Sequence, residues 1–287
     1  MFNPNKLAIS AVGASLFALG SVVTFSESAS ALNDRPVDPI GPSIDPGPAP
    51  VELQELLDAI TVDGPGIDVI EDQKPYDLFT NQASGASEST FLFEIAGFSP
   101  GNVFGIYKAD DPAFKIPLFI GDNDPADAAS TFFLSNGDVA VSTIPFSSDK
   151  PFAPDEFPIA DPSFELYEGF GNMFGFYLQN PNNEWFFTED SLNPDGVAHA
   201  LIYQGDDATT LMAPGRQPGT FSDNEFIIAF EDTAAGQPFY DNDFNDLVVI
   251  VESIEPKETP EPAALAGLGL LAGAMAISRR RNKAEKS

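Results

Sequence analysis

Cysteine is missing from all 287 residues, histidine and tryptophan occur once each, and 13 basic residues stand against 44 acidic ones. Each shortage removes a class of function. Without cysteine no disulfide can staple the fold, so a large core or a bound cation must do that work. A zinc site has neither a thiolate nor a second imidazole to complete it, and any histidine-dependent mechanism must run through His199. Ser191 and Ser222 lack the context of a nucleophile elbow, so a Ser-His-Asp triad is not expected. A formal charge of −31 repels nucleic acid and anionic lipid and attracts cations.

What the chain does have is apolar: 26 Phe and 43% hydrophobic residues are too many for an unfolded, solvating acidic chain. Lys6 precedes an apolar stretch from Leu7 to Phe25, and Ala29-Ser30-Ala31 offers small residues at Ala29 and Ala31 for signal peptidase. Residues 1–31 thus read as a signal peptide with a mature start at Leu32. Residues 32–50 form a proline-rich linker, because six prolines between Pro36 and Pro50 favour polyproline II and exclude helix and central strand. Val51 to Ile60 places Leu53, Leu56, Leu57 and Ile60 on one face of a short helix. From there Phe, Ile and Val runs alternate with Gly, Pro, Asn and Asp clusters. The expectation over 51–255 is an all-β domain, an antiparallel sandwich or jelly roll carrying that single N-terminal helix.

The C-terminal segment, 256–287, holds Pro260-Glu261-Pro262, an uncharged run from Ala263 to Ser278, and Arg279-Arg280-Arg281. The arginines would stay cytoplasmic under the positive-inside bias. The run is shorter than the ~20 residues a full crossing needs, which predicts a transient inner-membrane anchor. In this order, motif, span and basic stop resemble the PEP-CTERM sorting signal of Gram-negative bacteria. That resemblance implies export by the Sec machinery, processing by an exosortase, and a place at the cell surface or outside the cell, in bacteria that make exopolysaccharide. Five basic residues against one acid give the segment after Pro262 a net +4, so the middle of the chain sits near −35.

Two passages stand out within the β region. Gly101-Asn102-Val103-Phe104-Gly105-Ile106-Tyr107 recurs as Gly171-Asn172-Met173-Phe174-Gly175-Phe176-Tyr177, and reads either as a duplication or as two aromatic-glycine strands alike by chance. In both copies the second glycine would allow a close backbone approach. From His199 to Glu252 the chain runs HALIYQG, FIIAFED, DNDFNDLVVIVE. With the residues from Ser163 onward, this resembles the domain of unknown function 4114 family, common in secreted and surface proteins of bacteria, cyanobacteria included. Membership would imply a β-rich exported module and no established activity.

Ala200–Gln204, Phe226–Phe230 and Leu247–Val251 read as three consecutive strands. Folded as a meander, they gather Glu231, Asp232, Asp241, Asp243, Asn245 and Asp246 at one end, with Asp195 at the margin. Carboxylates so gathered resist ionisation unless a cation neutralises them, and Ca2+, with six to eight oxygen ligands in irregular geometry, is the natural one. Asp241, Asp243 and Asn245 follow the opening of an EF-hand loop. Asp246 stands where that loop needs glycine, however, and Glu252 falls on a strand, so a hairpin-loop site is expected instead. The alternative is a solvated turn whose side chains cap backbone amides. The acidic loops at Asp122, Asp124 and Asp127 and at Asp206 and Asp207 read as surface.

Trp185 and Phe187, beside Asn182-Asn183, are a candidate glycan platform. Two nonenzymatic functions follow: a structural or adhesive component of the cell surface or extracellular matrix, stabilised by calcium, or a carbohydrate-binding module acting on exopolysaccharide. Paired carboxylates alone make a secreted glycoside hydrolase the weaker third reading, and no catalytic residue is assigned.

Overall fold

The computed structural model describes residues 36–38, 52–82, 86–93, 101–120, 127–144 and 165–257. Ala29 and Ala31 of the expected leader, most of the proline segment, Asp122, Asp124, and Pro260, Glu261, Pro262, Arg279, Arg280 and Arg281 lie outside the described residues. After the helix α1 (Leu53–Ile60) come β1 (Thr61–Asp63), β2 (Leu78–Asn81), β3 (Ala86–Phe93), β4 (Val103–Lys108), β5 (Asp111–Ile120), β6 (Ala128–Phe133) and β7 (Val139–Ile144). The second half forms β8 (Glu165–Tyr167), β9 (Met173–Gln179), β10 (Trp185–Phe187), β11 (Ala200–Gln204), β12 (Thr210–Leu211) and β13 (Gly219–Thr220). It closes with β14 (Glu225–Phe230), β15 (Leu247–Glu252) and β16 (Ile254–Lys257). Among the described residues no helix is long and apolar enough to cross a membrane.

Seven strands form one sheet in the order β11-β14-β15-β3-β6-β7-β8, and six form another, β16-β2-β9-β4-β5 with β10 beside β9. The short strands β1, β12 and β13 make a third, minor sheet. The two large sheets enclose one core: Ile202, Phe226, Ile228, Phe230, Val249 and Val251 from the first meet Phe79, Phe104, Ile106, Phe176 and Leu178 from the second. This is the expected antiparallel β-sandwich.

Strand side chains alternate between faces, so the residues between those core positions must go elsewhere. Leu201, Tyr203, Ile227, Ala229, Val248 and Ile250 point away from the partner sheet and are covered by Leu53, Leu57 and Ile60 of α1 together with Ile67, Val69 and Phe244. That double burial explains why FIIAF and LVVIV read as unbroken apolar runs rather than as alternating ones. The helix holds its place through Gln54, whose amide donates to the Ile67 carbonyl at 2.8 Å and accepts from the Val69 N–H at 3.0 Å.

The two copies of the repeated aromatic-glycine passage lie side by side. β4 and β9 pair antiparallel around Ile106 and Phe176, which sets Gly105 opposite Tyr177 and Gly175 opposite Tyr107. A Cβ on either glycine would strike the facing tyrosine ring, and one on Gly105 would also strike the Ile116 carbonyl. Each glycine is therefore a seat for the other strand's tyrosine, the close approach anticipated for that position. Tyr107, Tyr177 and Phe187 form a small cluster with Trp185 half-buried beside them.

Two boundaries read from the sequence look different in the fold. β16 carries Pro256 and Lys257 into pairing with Phe79 and Leu78, so the sheet runs past residue 255. Proline is tolerated there because β16 lies at the end of the strand order. Within the proline segment Val37 is clamped by Gln73, which accepts from the Val37 N–H at 2.9 Å and donates to its carbonyl at 2.6 Å.

Candidate metal centre

The site grows from a strand junction. β14 ends at Phe230 directly opposite Leu247, where β15 begins, so residues 231–246 must close over one end of the sheet. β11 starts at Ala200 opposite Phe230, and the Glu231 N–H donates to the His199 carbonyl at 3.0 Å. The covering loop is tightly wound: Phe239, Asn242 and Phe244 take φ of 78°, 61° and 54°. Asparagine tolerates this left-handed region, whereas a phenylalanine there is strained. Phe244 is held in it by burial, being fully buried in the cluster that contains Leu57, Tyr203 and Val248. Asn242 adds a tie to the proline segment by donating to the Asp38 carbonyl at 3.0 Å.

All five carboxylates expected at this end come together. Glu231, Asp232 and Asp246 present oxygens within 4.8 Å of one another, and so do Glu231, Asp241 and Asp243. Asp241 is half-buried, while the other four and Asn245 are buried. Asn245 folds back onto Asp243, its backbone N–H reaching Oδ1 at 3.2 Å and its amide reaching Oδ2 at 2.7 Å. Glu252, the twelfth residue from Asp241, pairs with Glu225 at the far end of β15, which rules out EF-hand ligation.

Donors from the surrounding protein fix part of the cluster. Asp246 Oδ2 accepts the Asp232 N–H at 2.7 Å, and Glu231 Oε1 accepts the Thr233 N–H at 3.2 Å. Asp232 accepts from Thr233 Oγ1 at 3.1 Å and from the Asn102 amide at 3.0 Å, and Asn180 donates to its carbonyl at 2.9 Å. Glu231 Oε2 is buried and accepts no hydrogen bond. Burial pushes the Glu231 carboxyl up to about 9, and the charges of Asp241, Asp232 and Asp243 add to it while the Thr233 N–H opposes. Burial likewise holds Asp246 well above the ordinary carboxylate range, with Asp232 and Glu231 reinforcing it. Such groups must either keep protons or meet positive charge. An all-oxygen set of this kind is chemically suited to a hard divalent cation.

Asn102, Asn180 and Thr233 had no place in the sequence-based site. Asn102 follows the first glycine of the first repeated passage and is fully buried, whereas its counterpart Asn172 is exposed. Asp195, expected at the margin, stays there. It accepts from His199 Nε2 at 2.9 Å and from the Ala235 N–H at 2.7 Å. Burial works to raise the Asp195 carboxyl, but His199 and the N–H groups of Ala235 and Val197 outweigh it and hold the group down at about 2. His199 is itself buried, with Nδ1 3.2 Å from the Glu231 carbonyl and its ring stacked 4.4 Å from Phe186. Its partners are thus Asp195 and backbone, not Ser191 or Ser222.

The glycan platform needs correction at Phe187, which is only 7% exposed because it points into the tyrosine cluster, where Tyr107 packs edge-on at 5.2 Å. Trp185 is half-buried, with Tyr177 at 5.2 Å and the Lys115 ammonium 4.4 Å above its ring. Of the other acidic loops, Asp206 and Asp207 are exposed as expected, but Asp127 is buried at 4%.

Residues 171–253 match the family model for a domain of unknown function, DUF4114. No curated protein and no solved structure matches the chain. The DUF4114 segment contains every carboxylate of the cluster together with His199, but Asn102 lies before it. Its strands are also interleaved with earlier ones, since β15 pairs with β3 and β9 pairs with β2 and β4. The acid end is therefore built mostly by the DUF4114 segment and braced from outside it.

Proposed function

We propose that this chain is an exported, acidic β-sandwich protein of the cell surface or extracellular matrix, structural and adhesive rather than enzymatic, whose acid-end loop takes Ca2+. The observation that carries the reading is the pairing of buried Glu231 and Asp246 with other carboxylates, a state that a divalent cation resolves. Glu231, Asp232, Asp241, Asp243 and Asp246 supply the anionic ligands, and Asn245 is the neutral neighbour in the same loop. Calcium here replaces the absent disulfides: it ties β14 to β15 where the chain would otherwise fray. The charge of about −35 on the middle of the chain then favours calcium-mediated bridging to other acidic polymers, exopolysaccharide among them.

Export rests on the leader ending at Ala29-Ser30-Ala31 and on the sequence from Pro260 to Arg281, which resembles a PEP-CTERM signal and would be read by an exosortase after Sec-dependent transit. Calorimetric titration of metal-free protein with Ca2+ and with Mg2+ tests the metal. A Ca2+ isotherm in the range of about 10⁻⁴ to 10⁻³ M with a weaker Mg2+ response is expected, and no heat of binding from either ion would remove the cation from this account.

A further inference from the structure

We propose that the acid end takes two neighbouring hard divalent cations rather than one, with Glu231 shared between them. This rests on the calcium reading above and specifies its stoichiometry. Calcium holds its oxygens at about 2.3–2.6 Å, so two oxygens on one ion lie at most about 5 Å apart. The carboxylates meet that condition in two sets: Glu231 with Asp232 and Asp246, and Glu231 with Asp241 and Asp243. Glu231 alone belongs to both.

A second, independent feature marks the same residue. Glu231 is 1% exposed, its Oε1 accepts the Thr233 N–H, and its buried Oε2 accepts nothing. A carboxylate left this way in the interior must keep a proton or meet a cation. Charge points the same way. With all five carboxylates of the two sets ionised, one divalent ion would leave three negative charges in a largely buried place and two would leave one, so a single ion would oblige the cluster to keep protons.

The two positions are not equivalent. Glu231, Asp232 and Asp246 are all buried, and Asp232 and Asp246 are oriented by Asn102, by Thr233 and by each other. That position is a structural one. The other includes half-buried Asp241, so its ion keeps coordination sites for water or for an oxygen of an acidic or hydroxyl-rich partner. The outer ion is accordingly the weaker and the exchangeable one.

Native mass spectrometry and equilibrium dialysis of the full-length protein against Ca2+ count the ions. Two per chain are expected, filling at separate concentrations, with Asp241→Asn weakening the second ion by about tenfold or more while calcium still raises the thermal midpoint. One ion per chain in the unaltered protein at saturation would overturn the shared-Glu231 arrangement and leave the single-ion reading standing. So would two ions bound by Asp241→Asn with unchanged affinity, since the outer ion depends on that carboxylate's charge. No ion at all would overturn both. Should Asp241→Asn fail to fold, the count on the unaltered protein still decides.

Discussion

Strands β11 and β14 carry an acidic loop at each end, and the two loops obey opposite electrostatics. At one end Glu231 and Asp246 are buried against other carboxylates, and their carboxyl groups are pushed upward. At the other, Asp206 is exposed and caps its own turn, accepting the N–H groups of Ala208 at 2.9 Å and Thr209 at 2.6 Å and the Thr209 hydroxyl at 2.9 Å. Its slight burial acts to raise the carboxyl, but those donors outweigh it and hold it below the usual range. Acidic composition is common to both loops. Both ends have donors, so what separates the proposed cation site from the capped turn is that its carboxylates are also buried against one another.

Asp246→Ala should break the comparison most sharply. It removes a proposed ligand and strips the buried Asp232 N–H of its acceptor, so in calcium the protein should lose about 4 kcal/mol of stability. In chelator the loss should shrink to about 1 kcal/mol, because one of several repelling carboxylates has gone. Denaturant unfolding in the two buffers measures both.

The pH response should come next in size. The folded state holds the Glu231 proton to about 9 against an ordinary 4.5, so between those values it binds more protons than the unfolded chain. Stability of the metal-free protein then falls as pH rises from about 5 to about 8, and saturating calcium should flatten that slope by binding the ionised form. A metal-free protein whose unfolding midpoint climbs over this range would reverse the sign and contradict the assigned environment of Glu231.

The smallest effect belongs to the opposite loop. Asp206→Ala should cost about 1 kcal/mol for the lost amide contacts, by the same amount in calcium and in chelator. A calcium-dependent loss at Asp206 would erase the distinction between the two ends.

Much of this was legible in the chain because local chemistry and tertiary context agree. FIIAF and LVVIV had to be strands, and antiparallel reversal between them had to bring Glu231 and Asp246 to one end. The helix runs from Leu53 to Ile60 with Glu52 at its N-cap, inside the segment read from Val51 to Ile60. Asn102 could not be found in the same way, since it meets Asp232 from 130 residues away, across a sheet order that the sequence does not state. Phe187 was misread for a related reason: alternation says that neighbours in β10 face opposite sides, but not that both sides are covered. The repeated passages were visible as a pattern, whereas their pairing with each other, tyrosine over glycine, became visible only with the register of β4 and β9.

The most direct test of the central claim is thermal unfolding of the protein in calcium, in magnesium and in chelator, alongside a variant carrying both Asp243→Ala and Asp246→Ala. Occupancy at about 100 times the dissociation constant adds about 2.7 kcal/mol per ion, a readily measured rise in midpoint. The account predicts a rise selective for calcium in the unaltered protein and absent from the double variant. Coincident midpoints in all three buffers would contradict it and reduce the acid end to a strained, proton-holding turn.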